Sequence, residues 1–304
     1  MIALKDIPAA RHLAVVSLTL SLGACDAVND LINSDDDDNV YYHLSLGTSL
    51  SVGGQPDSNG VTLPTGDGYS KQLYDSIRAD FQATGNRELE FNQLGCPGET
   101  LGSFMNGGSC IYVAGSQLEA AVDFLNDNAG RVHLVTLDLG GNDFRNAGCI
   151  TDTVDMNCVN AVSTQIASDL ATVLAELNAA AGSGTTIVGM NYYNPYLGSW
   201  IEDAAGQALA TETAAAAIIL NDLLASTYST AGIPMADVYT AFDSNDFVTI
   251  VPSSLPPPND QLPLSVANIC TFTYMCEPDP VGPDIHANTA GYALIAETMQ
   301  GLLP

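Results

Sequence analysis

The chain has 304 residues, 46% of them apolar, with 35 Asp and Glu against 7 Lys and Arg and a formal net charge of −28. That much apolar residue supports a packed core and excludes a fully disordered chain. The charge excludes nucleic acid as a partner, because such a surface repels phosphate backbones, and it offers no basic face to an anionic membrane.

The chain opens with Lys5 and Arg11, then an apolar run from Leu13 to Leu22 that ends Leu22-Gly23-Ala24-Cys25. A basic head, a short apolar stretch and small residues before a cleavage point describe a secretory signal over 1–24. The run is too short for a spanning helix, which needs about 20 apolar residues. Leu-Gly-Ala-Cys resembles the bacterial lipobox, which implies a lipid on Cys25. The mature chain is then expected to be exported and to meet a bacterial membrane only through that lipid, in the periplasm or at the cell surface. Residues 25–39 contain the run Asp35-Asp36-Asp37-Asp38. Four adjacent carboxylates repel one another and read as a solvated acidic tether. A calcium site there would need spaced ligands and a turn glycine, which are missing. One domain, 40–304, follows.

Strands and helices alternate along that domain. Asn39 to Leu46 is a β-rich run stopped by Gly47, a first strand. Leu73, Ile77 and Phe81 recur on one helical face within 69–83. Leu89–Leu94 is a second strand, and Leu118, Ala121, Val122 and Leu125 mark a helix. Val132–Leu139 is a nearly continuous apolar strand. A long helix over about 158–181 ends at Gly182, and Thr185–Met190 is a fourth strand. A helix from Ala205 to about Tyr228, a fifth strand over Pro234–Tyr239 and a terminal helix over Ala290–Leu303 complete the series. The Pro-rich segment 243–283 lacks periodicity and reads as a surface excursion leading towards the site. Apolar rather than alternating strands with helices between them mean an α/β fold, a three-layer α/β/α sandwich around a parallel sheet of about five strands.

Six cysteines remain after Cys25. An even count in an exported chain reads as three disulfides. Sequence order suggests that neighbours pair: Cys96–Cys110, Cys149–Cys158 and Cys270–Cys276. No Cys-x-x-Cys or Cys-His spacing supports a zinc site.

In sheets of this kind chemistry gathers at the carboxyl ends of the strands. The loops there are Gly47-Thr48-Ser49-Leu50, Gly95-Cys96-Pro97-Gly98, Gly140-Gly141-Asn142-Asp143 and, before the last helix, Pro283-Asp284-Ile285-His286. They bring a hydroxyl, backbone and amide donors, and an imidazole to one edge. Acyl transfer needs that set: a nucleophile beside a base, and preorganised donors for an oxyanion. Of four histidines, His12 falls in the signal, His43 inside the first strand and His133 at the far end of the third, leaving His286 as the base. Asp138 and Asp143 read as local hydrogen-bonders of the loops.

These four blocks, in order, resemble those of the SGNH hydrolases, the GDSL-type esterases and lipases, in their secreted bacterial branch. Tyr41-Tyr42 before the first block, Leu94-Gly95-Cys96-Pro97-Gly98-Glu99-Thr100, Gly189-Met190-Asn191-Tyr192-Tyr193 and the Cys-bounded Thr271-Phe272-Thr273-Tyr274-Met275 strengthen the likeness. The resemblance spans about 40–302. It implies a flavodoxin-like fold, Ser49 as nucleophile, an oxyanion hole from Ser49, Gly98 and Asn142, His286 as base, and no cofactor. Two positions depart from the pattern. Thr48 stands where the usual motif has Asp, a residue thought to brace the loop. Pro283 stands three residues before His286, where the family's acid commonly sits. Asp284 is then the orienting acid, with Asp279 or a main-chain carbonyl in 283–284 as the alternatives.

The reading is therefore a monomeric serine esterase or lipase acting on a small-molecule ester through an acyl-enzyme. A phosphate-binding module is disfavoured, since the loop after the first strand has no Lys or Arg. The remaining alternative is a catalytically weak SGNH-like domain that binds a glycan or other ligand. No lid helix stands out, so small or medium acyl esters are expected rather than long triglycerides. Sugar acetyl esters, phospholipids and aryl esters all stay open.

Overall fold

A computed structural model describes residues 39–84 and 87–304. The expected signal, Cys25 and all of the tether before Asn39 lie outside the described residues. In chain order the elements begin with β1 (Val40–Leu46), β2 (Gly54–Pro56), β3 (Thr62–Pro64), α1 (Tyr69–Ala83) and β4 (Glu88–Gln93). Next come α2 (Leu101–Asn106), α3 (Gln117–Asp127), β5 (Val132–Leu137), α4 (Gly141–Asn146), α5 (Met156–Ala180) and β6 (Thr186–Met190). After a 3-10 turn at Pro195–Ile201 follow α6 (Ala204–Thr230), β7 (Met235–Ala236) and α7 (Val238–Ala241). The chain closes with β8 (Ile250–Pro252), β9 (Gln261–Pro263), α8 (Leu264–Phe272), β10 (Thr273–Tyr274), β11 (Asp284–Ala287) and α9 (Thr289–Gln300).

Five strands form a parallel sheet in the order β4-β1-β5-β6-β7. Strand order reverses between β1 and β5, which makes their carboxyl ends the topological switch point where ligands bind in doubly wound sheets. Both faces are buried, as the apolar strands require. On one face Leu44, Leu46, Val135 and Leu137 meet Leu170, Leu174 and Leu224 of α5 and α6. On the other, Leu134, Val188 and Met190 meet Tyr69 and Leu73 of α1 and Tyr292 and Ile295 of α9. The architecture is the expected α/β/α sandwich. Among the described residues α6 alone is long and apolar enough to cross a membrane, yet it is a core helix that buries Ala210, Ala216, Leu220, Leu224 and Tyr228.

Two expectations need correction. The fifth strand is only Met235–Ala236, because Asp237 caps α7 by accepting from the Thr240 backbone N–H at 3.1 Å and so turns the chain. The excursion 243–283 is not featureless: it holds the β8–β9 hairpin and α8, which buries Val266, Ala267 and Ile269. The three disulfides join Cys96 to Cys110, Cys149 to Cys158 and Cys270 to Cys276, each a local staple.

Candidate active site

Gly47 leaves β1 with φ +119°, and a Cβ there would lie 2.2 Å from Asp138 Oδ1, so only glycine makes this turn. Gln117 of α3 grips the same residue twice: its Oε1 accepts from Gly47 N at 2.7 Å and its Nε2 donates to Gly47 O at 3.1 Å. Leu50 anchors the loop in the core. Between them stands Ser49, 9% exposed, with Oγ 2.9 Å from His286 Nε2.

His286 lies on β11, which pairs antiparallel with β10 rather than joining the main sheet. Asp284 sits two residues earlier on the same strand, so both side chains point to one face. Its Oδ1 accepts from His286 Nδ1 at 2.7 Å and from the His286 backbone N–H at 2.9 Å. Its Oδ2 accepts from Thr62 Oγ at 2.6 Å. Burial pushes the Asp284 carboxyl up, but the bonds from the His286 ring, Thr62 and the His286 backbone outweigh it and hold it at about 2. An ionised Asp284 can only accept, so Nδ1 carries the proton and Nε2 is left as the acceptor for the Ser49 hydroxyl. Of the alternatives for the acid, Asp279 is exposed and makes no bond to His286, and Nδ1 meets the Asp284 carboxylate rather than a main-chain carbonyl.

The other histidines are placed as expected. His43 is fully buried in β1, bonded through Nε2 to Thr136 Oγ at 3.0 Å, and burial lowers it to about 3. His133 packs on Phe81 at 4.7 Å, at the opposite end of the sheet.

The donors converge on Ser49 from two further loops. Gly98 turns with φ +78° and lines the cleft together with Ser49, Asn142 and His286. Among the described residues the backbone N–H groups of Ser49 and Gly98 have no hydrogen-bond partner. Asn142, in the first turn of α4, donates one amide hydrogen to Glu99 O at 2.9 Å, which fixes the amide and leaves the second hydrogen free. Asp143 ties α4 to α2 by accepting from Leu101 N at 3.0 Å. Asp138 accepts from Thr48 and Tyr69 behind the Ser49 loop. Both are thus loop hydrogen-bonders.

A cavity of about 150 Å³ opens beside Ser49, lined by Phe144, Ile150, Tyr192, Tyr196, Ala217 and Leu220. A second cleft of about 170 Å³ lies on the other side, between Thr62, Leu63, Pro64, Pro97 and Gly98. Arg145 borders both. Among the described residues no group of three or more His, Cys, Asp or Glu is arranged to hold a metal ion.

Sequence reasoning missed several supporting residues. Thr62 holds the acid, Tyr193 OH donates to Ile285 O at 2.7 Å, and Tyr292 OH donates to Gly54 O at 2.8 Å. Gly54 itself is small for a reason: a Cβ there would sit 3.0 Å from the His286 ring and 3.1 Å from Ser49 Cβ. The glycine and the Tyr192-Tyr193 pair were visible signals, whereas Thr62 had none.

No curated protein matches the chain. Among solved structures it is similar to an extracellular lipase from Streptomyces rimosus, with 18% identity, 85% of this chain and 99% of that one covered, and a TM-score of 0.51. A phospholipase A1 from Streptomyces albidoflavus matches at 16% identity over 85% of this chain and 99% of that one, TM-score 0.43. A lipase/acylhydrolase from Enterococcus faecalis matches at 17% identity over 87% and 97%, TM-score 0.41. At 18% identity the likeness to the Streptomyces rimosus lipase speaks to the fold alone. The family described as GDSL-like Lipase/Acylhydrolase matches residues 44–299, nearly the whole described domain. The chain therefore belongs to the GDSL-like lipase/acylhydrolase family.

Proposed function

We propose that this hydrolase cleaves carboxylic esters through an acyl-enzyme on Ser49, with His286 as general base and acid and Asp284 as the orienting carboxylate. The observation that carries the reading is the unbroken chain Asp284 Oδ1–His286 Nδ1 at 2.7 Å and His286 Nε2–Ser49 Oγ at 2.9 Å. In this mechanism Oγ attacks the ester carbonyl carbon while its proton passes to Nε2. The oxyanion is met by the N–H groups of Ser49 and Gly98 and by the free amide hydrogen of Asn142. Collapse expels the alkoxide, which leaves with the proton from Nε2. Water then gives a proton to Nε2 and adds to the acyl carbon. A second collapse frees the carboxylic acid and returns the proton to Oγ.

The mainly apolar cavity beside Ser49 suits the acyl group, and the second cleft suits the alcohol. A volume of about 150 Å³ matches roughly a benzene-sized group, so short and medium acyl chains fit this reading better than long ones. The test is covalent: a fluorophosphonate probe should label the wild type on the peptide carrying Ser49 and leave Ser49→Ala unlabelled. A folded protein that resists the probe and turns over no ester would instead be a ligand-binding domain.

Asn142→Ala is expected to lower kcat by about 10²-fold, the usual effect of losing one oxyanion donor. KM should stay within about twofold, since the donor acts on developing charge. Kinetics on p-nitrophenyl butyrate check this, and a change confined to KM would make Asn142 a substrate-positioning residue.

The same reading covers location. Three disulfides favour an oxidising compartment, and the Leu-Gly-Ala-Cys motif supports a lipid on Cys25. Wild-type protein from a bacterial host should partition into detergent, and Cys25→Ser should not. A mature N-terminus without lipid in the mass spectrum would exclude the anchor.

A further inference from the structure

We propose that Asp138 is a positioning residue for the nucleophile: acting through Thr48, its carboxylate holds the Ser49 loop in register with His286. The proposal rests on Ser49 being the nucleophile.

Asp138 follows β5 directly, beside β1, and is completely buried. Every group that bonds its oxygens is a donor. Thr48 Oγ donates to Oδ2 at 2.5 Å, Thr48 N lies 3.3 Å from both oxygens, and Tyr69 OH donates to Oδ1 at 2.9 Å. The grip then crosses Ser49. While it donates to Asp138, the Thr48 hydroxyl also accepts from Leu50 N at 3.4 Å, so one oxygen ties the residues on both sides of the nucleophile. Ser51 Oγ closes the turn on Thr48 O at 2.8 Å. The carboxylate also occupies the space that a side chain on Gly47 would need. Residues 47, 48 and 50 are thus all set by one buried group that itself lies outside the Ser49–His286–Asp284 chain.

A structural filler would not need a carboxylate here. The groups facing Asp138 are Tyr69 of α1, Tyr192 and Tyr193 after β6, Tyr228 of α6 and Tyr292 of α9, all neutral phenols. With no cation among them, burial raises Asp138 to about 7, against the bonds from Thr48 and Tyr69. A charge without a counter-ion is costly to bury, so the Thr48 donors carry much of its solvation.

The pair also accounts for Thr48. A carboxylate at position 48 would press against Asp138, and two carboxylates in contact cannot both ionise. The side chain at 48 must therefore be a donor as long as Asp138 is the acceptor. The geometry assigns the loop's brace to the end of β5 rather than to the residue before Ser49.

The experiment is a reciprocal exchange read by kinetics on p-nitrophenyl butyrate. Asp138→Asn and Thr48→Val should each lower kcat by roughly 10-fold or more with KM within about twofold, because a misplaced Oγ costs the chemical step and not binding. Thr48→Asp alone should be at least as impaired. Thr48→Asp combined with Asp138→Thr restores a carboxylate–hydroxyl pair with the roles reversed. It should recover about 10-fold over either of its component single variants. The acidic limb of the wild-type pH profile should carry an ionisation near pH 7 from Asp138, which Asp138→Asn removes. Thr48→Val replaces only the hydroxyl, and so keeps the test alive if variants at the buried position fail to fold. Folded Asp138→Asn or Thr48→Val with wild-type kcat, or a folded exchange variant no better than its components, would overturn the proposal. Wild-type protein without esterase turnover would instead overturn the Ser49 reading, and this proposal with it.

Discussion

Ser49→Ala is expected to lose at least about 10³-fold in kcat on p-nitrophenyl butyrate while melting within a few degrees of the wild type. The side chain gives up one oxygen, and that oxygen's bond is to His286 Nε2. Nothing in the core depends on it: the loop is held by Leu50 in the apolar cluster and by Gln117 on Gly47. The donors at Ser49 N, Gly98 N and Asn142 survive the substitution, so a residual rate above the uncatalysed reaction should remain. Turnover close to wild type would remove Ser49 from the mechanism.

Asp284→Asn should be nearly as damaging, with a fall in kcat of about 10³- to 10⁴-fold, the scale for exchanging a triad carboxylate for an amide. The carboxylate accepts at both oxygens, from the His286 ring and backbone at Oδ1 and from Thr62 at Oδ2. An amide must turn its NH₂ towards one of these donors. If it faces Nδ1, the imidazole is driven to the tautomer whose Nε2 carries the proton and cannot accept one from Ser49. The exposed Asp279 is the control: Asp279→Asn should stay within about twofold of wild type. A large loss at Asp279 with none at Asp284 would move the acid. The Asp284 carboxyl is held down to about 2. Its contribution to stability is therefore present above the unfolded carboxylate value near 3.9 and is lost as pH falls through about 2. Any loss of activity between pH 7 and 4 must then come from groups other than this one.

Much of this site was legible because its parts follow strong periodic signals. β1 and β5 are strand-forming runs with glycine at the end, and in a parallel sheet chemistry gathers in the loops that follow such strands. Ser49 and Asn142 could be placed from that alone, and His286 by eliminating the other three histidines. The acid was ambiguous for a definite reason. Spacing by two places side chains on one face only in a strand, and nothing periodic marks β11, four residues long, as a strand. Thr62 was invisible for the same reason: the β2–β3 hairpin has two three-residue strands, each ending in proline. α8 escaped notice as a nine-residue helix that follows Pro263 with no side-chain cap. Asp138 was legible as a loop hydrogen-bonder, but its link to Thr48 joins residues 90 positions apart and only the folded sheet brings them together.

β11 has one further property. Among the described residues it shares no ladder with the parallel sheet and pairs only with the two residues of β10. Beside Ser49 it is held by Ala287 in the core and by hydroxyls: Tyr193 on Ile285, Thr62 on Asp284, and Tyr292 on the Gly54 peptide beside the imidazole. Local opening free energies in a protein range from near zero up to the global value. His286 therefore sits on a strand whose local opening does not require the parallel sheet to unfold. Under the proposed mechanism the heat resistance of catalysis is then a quantity separate from that of the fold, and Tyr193, Thr62 and Tyr292 contribute to the first.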